Sequence, residues 1–144
     1  MEIIRDAEGG MKNHFLILVK GLASQGMDVV ALCNLDETSI KDMEKSGVFV
    51  IPFRFSKTIN PYSDSIAVFR LVSLIHKHKP DIVHCHGFKA GLLGRIACLA
   101  TRVSMLYTVH NFVTFGRDRL SKWLIHCFES WMGNKTDAII CVSN

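Results

Sequence analysis

The chain has 144 residues, the length of one domain, and 49% of them are hydrophobic against 21% charged. That balance supplies a core and excludes an intrinsically disordered chain. The net charge of +4 is mild and its basic residues are scattered among acidic ones. This argues against a nucleic-acid binder, which needs a basic face, but leaves weak attraction to an anionic membrane or a phosphorylated ligand open.

The 5 cysteines, Cys33, Cys85, Cys98, Cys127 and Cys141, form no C-x-x-C pair, and each lies in an apolar stretch. Buried free thiols in a reducing compartment are expected. Glu2, Arg5, Asp6 and Glu8 interrupt the start, so no secretory signal is read there. No apolar run approaches the roughly 18–20 residues of a membrane span. A cytoplasmic location is expected, with peripheral contact at the inner membrane face left open.

Glu2 to Arg5 reads as a short strand, and Asp6 to Gly10 as a turn whose paired glycines permit unusual backbone angles. Met11 to Gln25 reads as a helix, with Met11, Phe15, Leu18, Val19, Leu22 and Ala23 on one stripe. Asp28 to Cys33 follows as a strand with consecutive apolar residues, the mark of burial on both faces. Asp36 or Thr38 caps a short helix, Ser39 to Lys45. Val48 to Ile51 is a third strand, stopped by Pro52. Ser63 or Asp64 starts a helix carrying Ile66, Phe69, Val72 and Ile75 inward, ended by Pro80.

The most informative stretch is Asp81 to Asn111. A strand, Asp81 to Cys85, breaks at His86-Gly87 into a small-residue helix, Phe88 to Arg95, and a second strand, Met105 to Val109, ends at His110-Asn111. A helix from about Arg117 to Asn134 then places Leu120, Trp123, Leu124, Cys127, Phe128 and Trp131 on one side. Core packing is the expected use of that side. Asp137 to Val142 is a last strand.

Six strands alternating with five helices, the strands two-faced, predict an α/β protein. Right-handed crossovers favour a parallel sheet in the order 3-2-1-4-5-6, a Rossmann-like three-layer αβα sandwich. Winding then reverses between the first and fourth strands. Gly9 and Gly10, the His86-Gly87-Lys89 loop, and His110 with Asn111 converge on that crevice.

Each candidate has its own chemistry. A glycine turn before a helix exposes N–H groups that suit an anion. Lys89 offers a point charge to a phosphate or carboxylate. His110, at a strand tip, can bond a phosphate, a sugar hydroxyl or a carbonyl, or act as a general base. His84 is expected to be a hydrogen-bonded core residue and His86 a ligand contact. No metal site is expected, because no acidic or further cysteine partner follows His84 and His86 at ligand spacing.

Four segments carry a resemblance: EGGMKNH (Glu8 to His14), PDIVHCHGFKAGLLGR (Pro80 to Arg95), YTVHN (Tyr107 to Asn111) and TDAIICVS (Thr136 to Ser143). In this order they resemble the N-terminal domain of family-4 glycosyltransferases of the GT-B fold. The resemblance implies a retaining transfer from a nucleotide-sugar donor, across a cleft between two Rossmann-like domains. It implies an N-terminal domain that mainly binds acceptor, no metal, and no cofactor beyond the nucleotide-sugar substrate. It assigns Gly9 and Gly10 to the donor phosphates, His110 to the transferring sugar as the catalytic residue, and His86, Lys89 and Asn111 to the acceptor side. The acceptor is expected to be a glycan or lipid-linked sugar in polysaccharide or glycolipid synthesis.

The chain carries no glutamate pair and no basic nucleotide-binding segment of the kind found in the second domain. It is therefore expected to be an isolated N-terminal half, with a few leading residues missing. Its partner would be a C-terminal domain of the same protein, and alone it would be inactive. Two alternatives remain: a stand-alone acceptor- or phospholigand-binding module serving a separate catalytic subunit, and half of a GT-B sugar-nucleotide epimerase.

Overall fold

The computed structural model describes residues 1–56, 58–110 and 118–142. The strands are β1 (Glu2–Ile4), β2 (Val30–Cys33), β3 (Phe49–Pro52), β4 (Ile82–His86), β5 (Ser104–Val109) and β6 (Ala138–Cys141). The helices α1 (Gly9–Ser24), α2 (Glu37–Lys45), α3 (Pro61–His78), α4 (Phe88–Thr101) and α5 (Arg119–Gly133) alternate with them. Every strand pair is parallel and the order is β3-β2-β1-β4-β5-β6, as expected. Register places Glu2 beside His84 and Ile4 beside His86.

Two cores flank the sheet. Phe15 and Val19 of α1 and Met43 of α2 pack on Ile4, Ala31 and Cys33. Ala67, Leu71 and Ile75 of α3 and Ala90, Leu93 and Ala97 of α4 pack on Ile3, Leu32, Val83, Cys85 and Tyr107. Neighbouring residues such as Ile3 and Ile4 thus enter opposite cores, which is why these strands read as unbroken apolar runs.

Close packing of α4 on the sheet requires its glycines. A Cβ on Gly91 would lie 2.4 Å from Tyr107 Cε2, and one on Gly94 would lie 2.4 Å from Cys85 Sγ. The side chain of Arg95 is fully buried above Tyr107, its guanidinium carbon 4.1 Å from the ring centroid, and it donates to Glu129 of α5 at 2.6 Å.

Several expectations change in detail. Asn60 caps α3, accepting from Tyr62 and Ser63 N–H, and Pro61 takes the first helical position, where its missing N–H is no loss. The buried face of α3 is Asp64, Ala67, Leu71 and Ile75, whereas Ile66 and Phe69 are exposed. On that buried face Asp64 meets a buried lysine of α4. Pro52 closes β3 rather than stopping before it, which an edge strand tolerates. On α5 the expected core stripe is mostly at the surface: Leu120, Trp123, Leu124 and Trp131 are exposed, and Phe128 and Met132 make the contact. Cys33, Cys85 and Cys98 are buried thiols, while Cys127 and Cys141 are exposed, being on α5 and the edge strand β6.

Candidate functional site

The glycine turn is the first turn of a helix. Gly9 opens α1 with φ +60°, and a Cβ on Gly9 or Gly10 would meet nothing within 4 Å. No described side chain caps α1, and its first turn holds no acidic residue. Gly9 and Gly10 are exposed, so the uncapped start of α1 is open to solvent at the positive end of a helix dipole, which suits an anion. Beside this turn, on the β2 side, lies a cleft of about 750 Å³ lined by Asp6, Glu8, Met11, Lys12, Asn34 and Asp36, among others. Lys12 and Asp36 form an ion pair there.

On the other side of β1 the tips of β4 and β5 carry a chain of side chains. Glu2 Oε2 lies 2.7 Å from His86 Nε2 and 3.0 Å from His84 Nδ1. His84 Nε2 lies 2.7 Å from the Thr108 hydroxyl, and His86 Nδ1 lies 3.4 Å from His110 Nε2. Helix α1 closes on this chain: the ring of Phe15 stands edge-on to His86, and that of His14 stands edge-on to His110 with centroids 5.2 Å apart. Gly87 (φ +74°) turns the chain from β4 into α4, and a Cβ there would sit 3.1 Å from Met11 Sδ. Helix α1, the turn after β4 and the end of β5 thus meet at the switch point through Met11, His14, Gly87 and His110, with His110 partly exposed and His84 and His86 buried.

Electrostatics follow from burial. Burial alone would raise the Glu2 carboxyl, but the hydrogen bonds from His84 and His86 outweigh it and bring it down to about 2. Burial lowers His86, against the pull of Glu2. Burial, followed by the neighbouring His86, His14 and His84, lowers His110 to about 4. At neutral pH Glu2 is charged and His86 and His110 are not.

Two sets of ligand atoms lie within 4.8 Å of one another: His14, His86 and His110, and Glu2, His84 and His86. The absence of an acidic neighbour in sequence is therefore no argument against a metal, because β1 brings Glu2. The spacing is informative instead. Metal bonds of about 2.0–2.2 Å at a tetrahedral angle hold ligand atoms roughly 3.3 Å apart. At 2.7 Å, His86 and Glu2 share a hydrogen.

Lys89 is placed otherwise than expected. Its ammonium donates to both Asp64 carboxylate oxygens at 2.7 Å and to the Thr58 carbonyl at 2.9 Å, and its side chain is buried. These bonds use its three donors. The carboxylate it meets is internal, so it ties α4 to α3 and has no free donor to offer an acceptor. His86 likewise supports His110 from beneath, being only 1% exposed. Asn111 lies outside the described residues.

The profile of Glycosyltransferase Family 4 matches residues 8–144. The chain belongs to glycosyltransferase family 4. It is 35% identical over 98 residues to the UDP-Gal:alpha-D-GlcNAc-diphosphoundecaprenol alpha-1,3-galactosyltransferase of Escherichia coli, covering 67% of this chain and 25% of that protein. It is 34% identical over 94 residues to the capsular polysaccharide biosynthesis glycosyltransferase CapM of Staphylococcus aureus, covering 65% of this chain and 24% of that protein. The family-4 chain thus aligns with about a quarter of the length of these curated relatives. Its fold matches a glycosyltransferase from Rickettsia africae ESF-5 with TM-score 0.75 at 20% identity, over 99% of this chain and 36% of that one. The fold is one Rossmann-like unit of a GT-B architecture.

Glu2, His14, Asp64 and Thr108 take part in these contacts without standing out in the sequence. A signal for Glu2 was present. A carboxylate inside a strand predicted to be covered on both faces needs a partner, and the predicted order set it next to the strand of His84 and His86. Asp64 carries no such signal, because its place in the sequence is that of a helix start.

Proposed function

We propose that this family-4 chain is the N-terminal, acceptor-side domain of a transferase. The enzyme moves a sugar, with retention, from a nucleotide-sugar donor to a glycan or lipid-linked sugar in polysaccharide or glycolipid synthesis. The observation that carries this reading is helix α1, which starts at an uncapped glycine pair and sets His14 with its ring 5.2 Å from that of His110. The α1 N–H groups would receive the donor diphosphate and stabilise its charge as the sugar leaves. His110, neutral at pH 7, would bond the sugar. No step calls for a metal, and transfer is expected to continue in the presence of a chelator.

The histidine row forms one wall. A second domain would supply the nucleotide site and the opposing wall, excluding water and fixing donor against acceptor. None of the described helices is long and apolar enough to cross a membrane. We place the enzyme at the cytoplasmic side, where Trp123, Leu124 and Trp131 of α5, with Arg119 and Lys122, form a face suited to peripheral membrane contact. Transferase relatives favour this reading over a sugar-nucleotide epimerase.

The test is a screen of nucleotide sugars, with lipid-linked and glycan acceptors, against the full-length protein and against these 144 residues alone. Sugar transfer by the former and none by the latter is expected. Turnover by the 144 residues alone, or only epimerised nucleotide sugar from the full-length protein, would overturn the reading.

A further inference from the structure

We propose that Glu2 is a positioning residue: acting through His86, it fixes His110 as the Nε2–H tautomer, so that His110 presents a bare Nδ1 that accepts a hydrogen bond from a sugar hydroxyl. This rests on the reading of His110 as the residue beside the transferring sugar.

The assignment follows from donors and acceptors taken in order. An ionised carboxylate only accepts, so the nitrogens that face Glu2, His86 Nε2 at 2.7 Å and His84 Nδ1 at 3.0 Å, both carry hydrogen. A neutral imidazole has one N–H. With that of His86 spent on Glu2, its Nδ1 is an acceptor. The group facing it is His110 Nε2 at 3.4 Å, which must therefore donate. That bond is long, yet a lone pair against a lone pair is the only alternative for two neutral rings. The neutral states of His86 and His110 agree with their burial. On the other branch His84 Nε2 lies 2.7 Å from the Thr108 hydroxyl.

His110 Nδ1 is then without a hydrogen, and among the described residues nothing is hydrogen-bonded to it. A bare ring nitrogen cannot donate to a phosphate oxygen; it accepts from an O–H. The geometry thus divides the labour. The diphosphate falls to the N–H groups of α1, and His110 reads a hydroxyl. The anchor of the relay sits on β1, the shortest strand, at its Cα partner His84.

The test is ¹⁵N NMR of histidine tautomers in the full-length protein at neutral pH, read beside transfer kinetics. Wild type should show Nε2–H and bare Nδ1 for both His86 and His110. Glu2→Leu removes the acceptor and should turn His110 into a tautomer mixture, lowering kcat about tenfold with the donor KM unchanged. Glu2→Gln keeps an accepting oxygen and should restore both readouts to within about threefold of wild type, the conservative-variant control for a network residue. A purely structural role would cost stability in Glu2→Leu without moving the His110 resonances, and that result overturns the proposal. An Nδ1–H on His86 or His110 in wild type overturns it without any variant. Absence of sugar transfer by the wild-type protein would instead refute the functional reading, while the tautomer measurement still decides this one.

Discussion

At the scale of single residues, the site is a set of buried polar groups that stay satisfied by pairing. Lys89 and Asp64 are the clearest pair, 6% and 8% exposed, with further bonds to the Thr58 carbonyl and from the Asn60 N–H. Breaking such a pair leaves an uncompensated buried charge, so Lys89→Met is expected to lower stability by roughly 3–5 kcal/mol. Adding Asp64→Leu to that variant should recover most of the loss, and urea unfolding of the three proteins checks it. The histidine row gives a pH dependence of definite sign. His110 titrates at about 4 in the fold against an ordinary 6.5, and His86 is lowered too. Between those values the unfolded chain binds more protons, so stability falls as pH drops from 6.5 towards 4. Glu2, at about 2 against an ordinary 4.5, adds a further loss as pH falls from 4.5 to 2. Thermal unfolding across this range should show Tm decreasing with acid from pH 6.5 downward; a flat profile between 6.5 and 4 would contradict the assignment.

At the scale of elements, α4 is the part most constrained by packing. Gly91→Ala would drive a methyl into the Tyr107 ring, on which Arg95 also packs, and should cost about 1–3 kcal/mol by overpacking. Gly10→Ala meets open space and should leave stability nearly unchanged, within about 1 kcal/mol. Both are read by the same unfolding assay. The helices also show what periodicity can and cannot tell. The stripe of α1 was legible because Phe15 and Val19 have no polar rival on that face. On α3 the same rule chose Ile66 and Phe69 over Leu71, because a pattern of apolar residues cannot see that Asp64 goes inward to meet Lys89. On α5 it identified an apolar side correctly and its destination wrongly, since nothing in a stripe says which surface covers it.

At the scale of the molecule, strand order and layer arrangement were legible, because βα alternation with right-handed crossovers leaves few topologies. That order by itself directs Gly9, Gly10, His86 and His110 to one crevice. What it could not supply was which of them reach the cleft. Lys89 and His86 are turned inward by partners 25 and 84 residues away, Asp64 and Glu2, and such pairings follow from register rather than from local sequence. We propose that His110 stands at the transferring sugar of a glycosyltransferase. Transfer kinetics of the full-length protein carrying His110→Ala decide it: kcat should fall by about a hundredfold with the fold intact, whereas unchanged kcat in a folded variant would remove His110 from the reacting sugar.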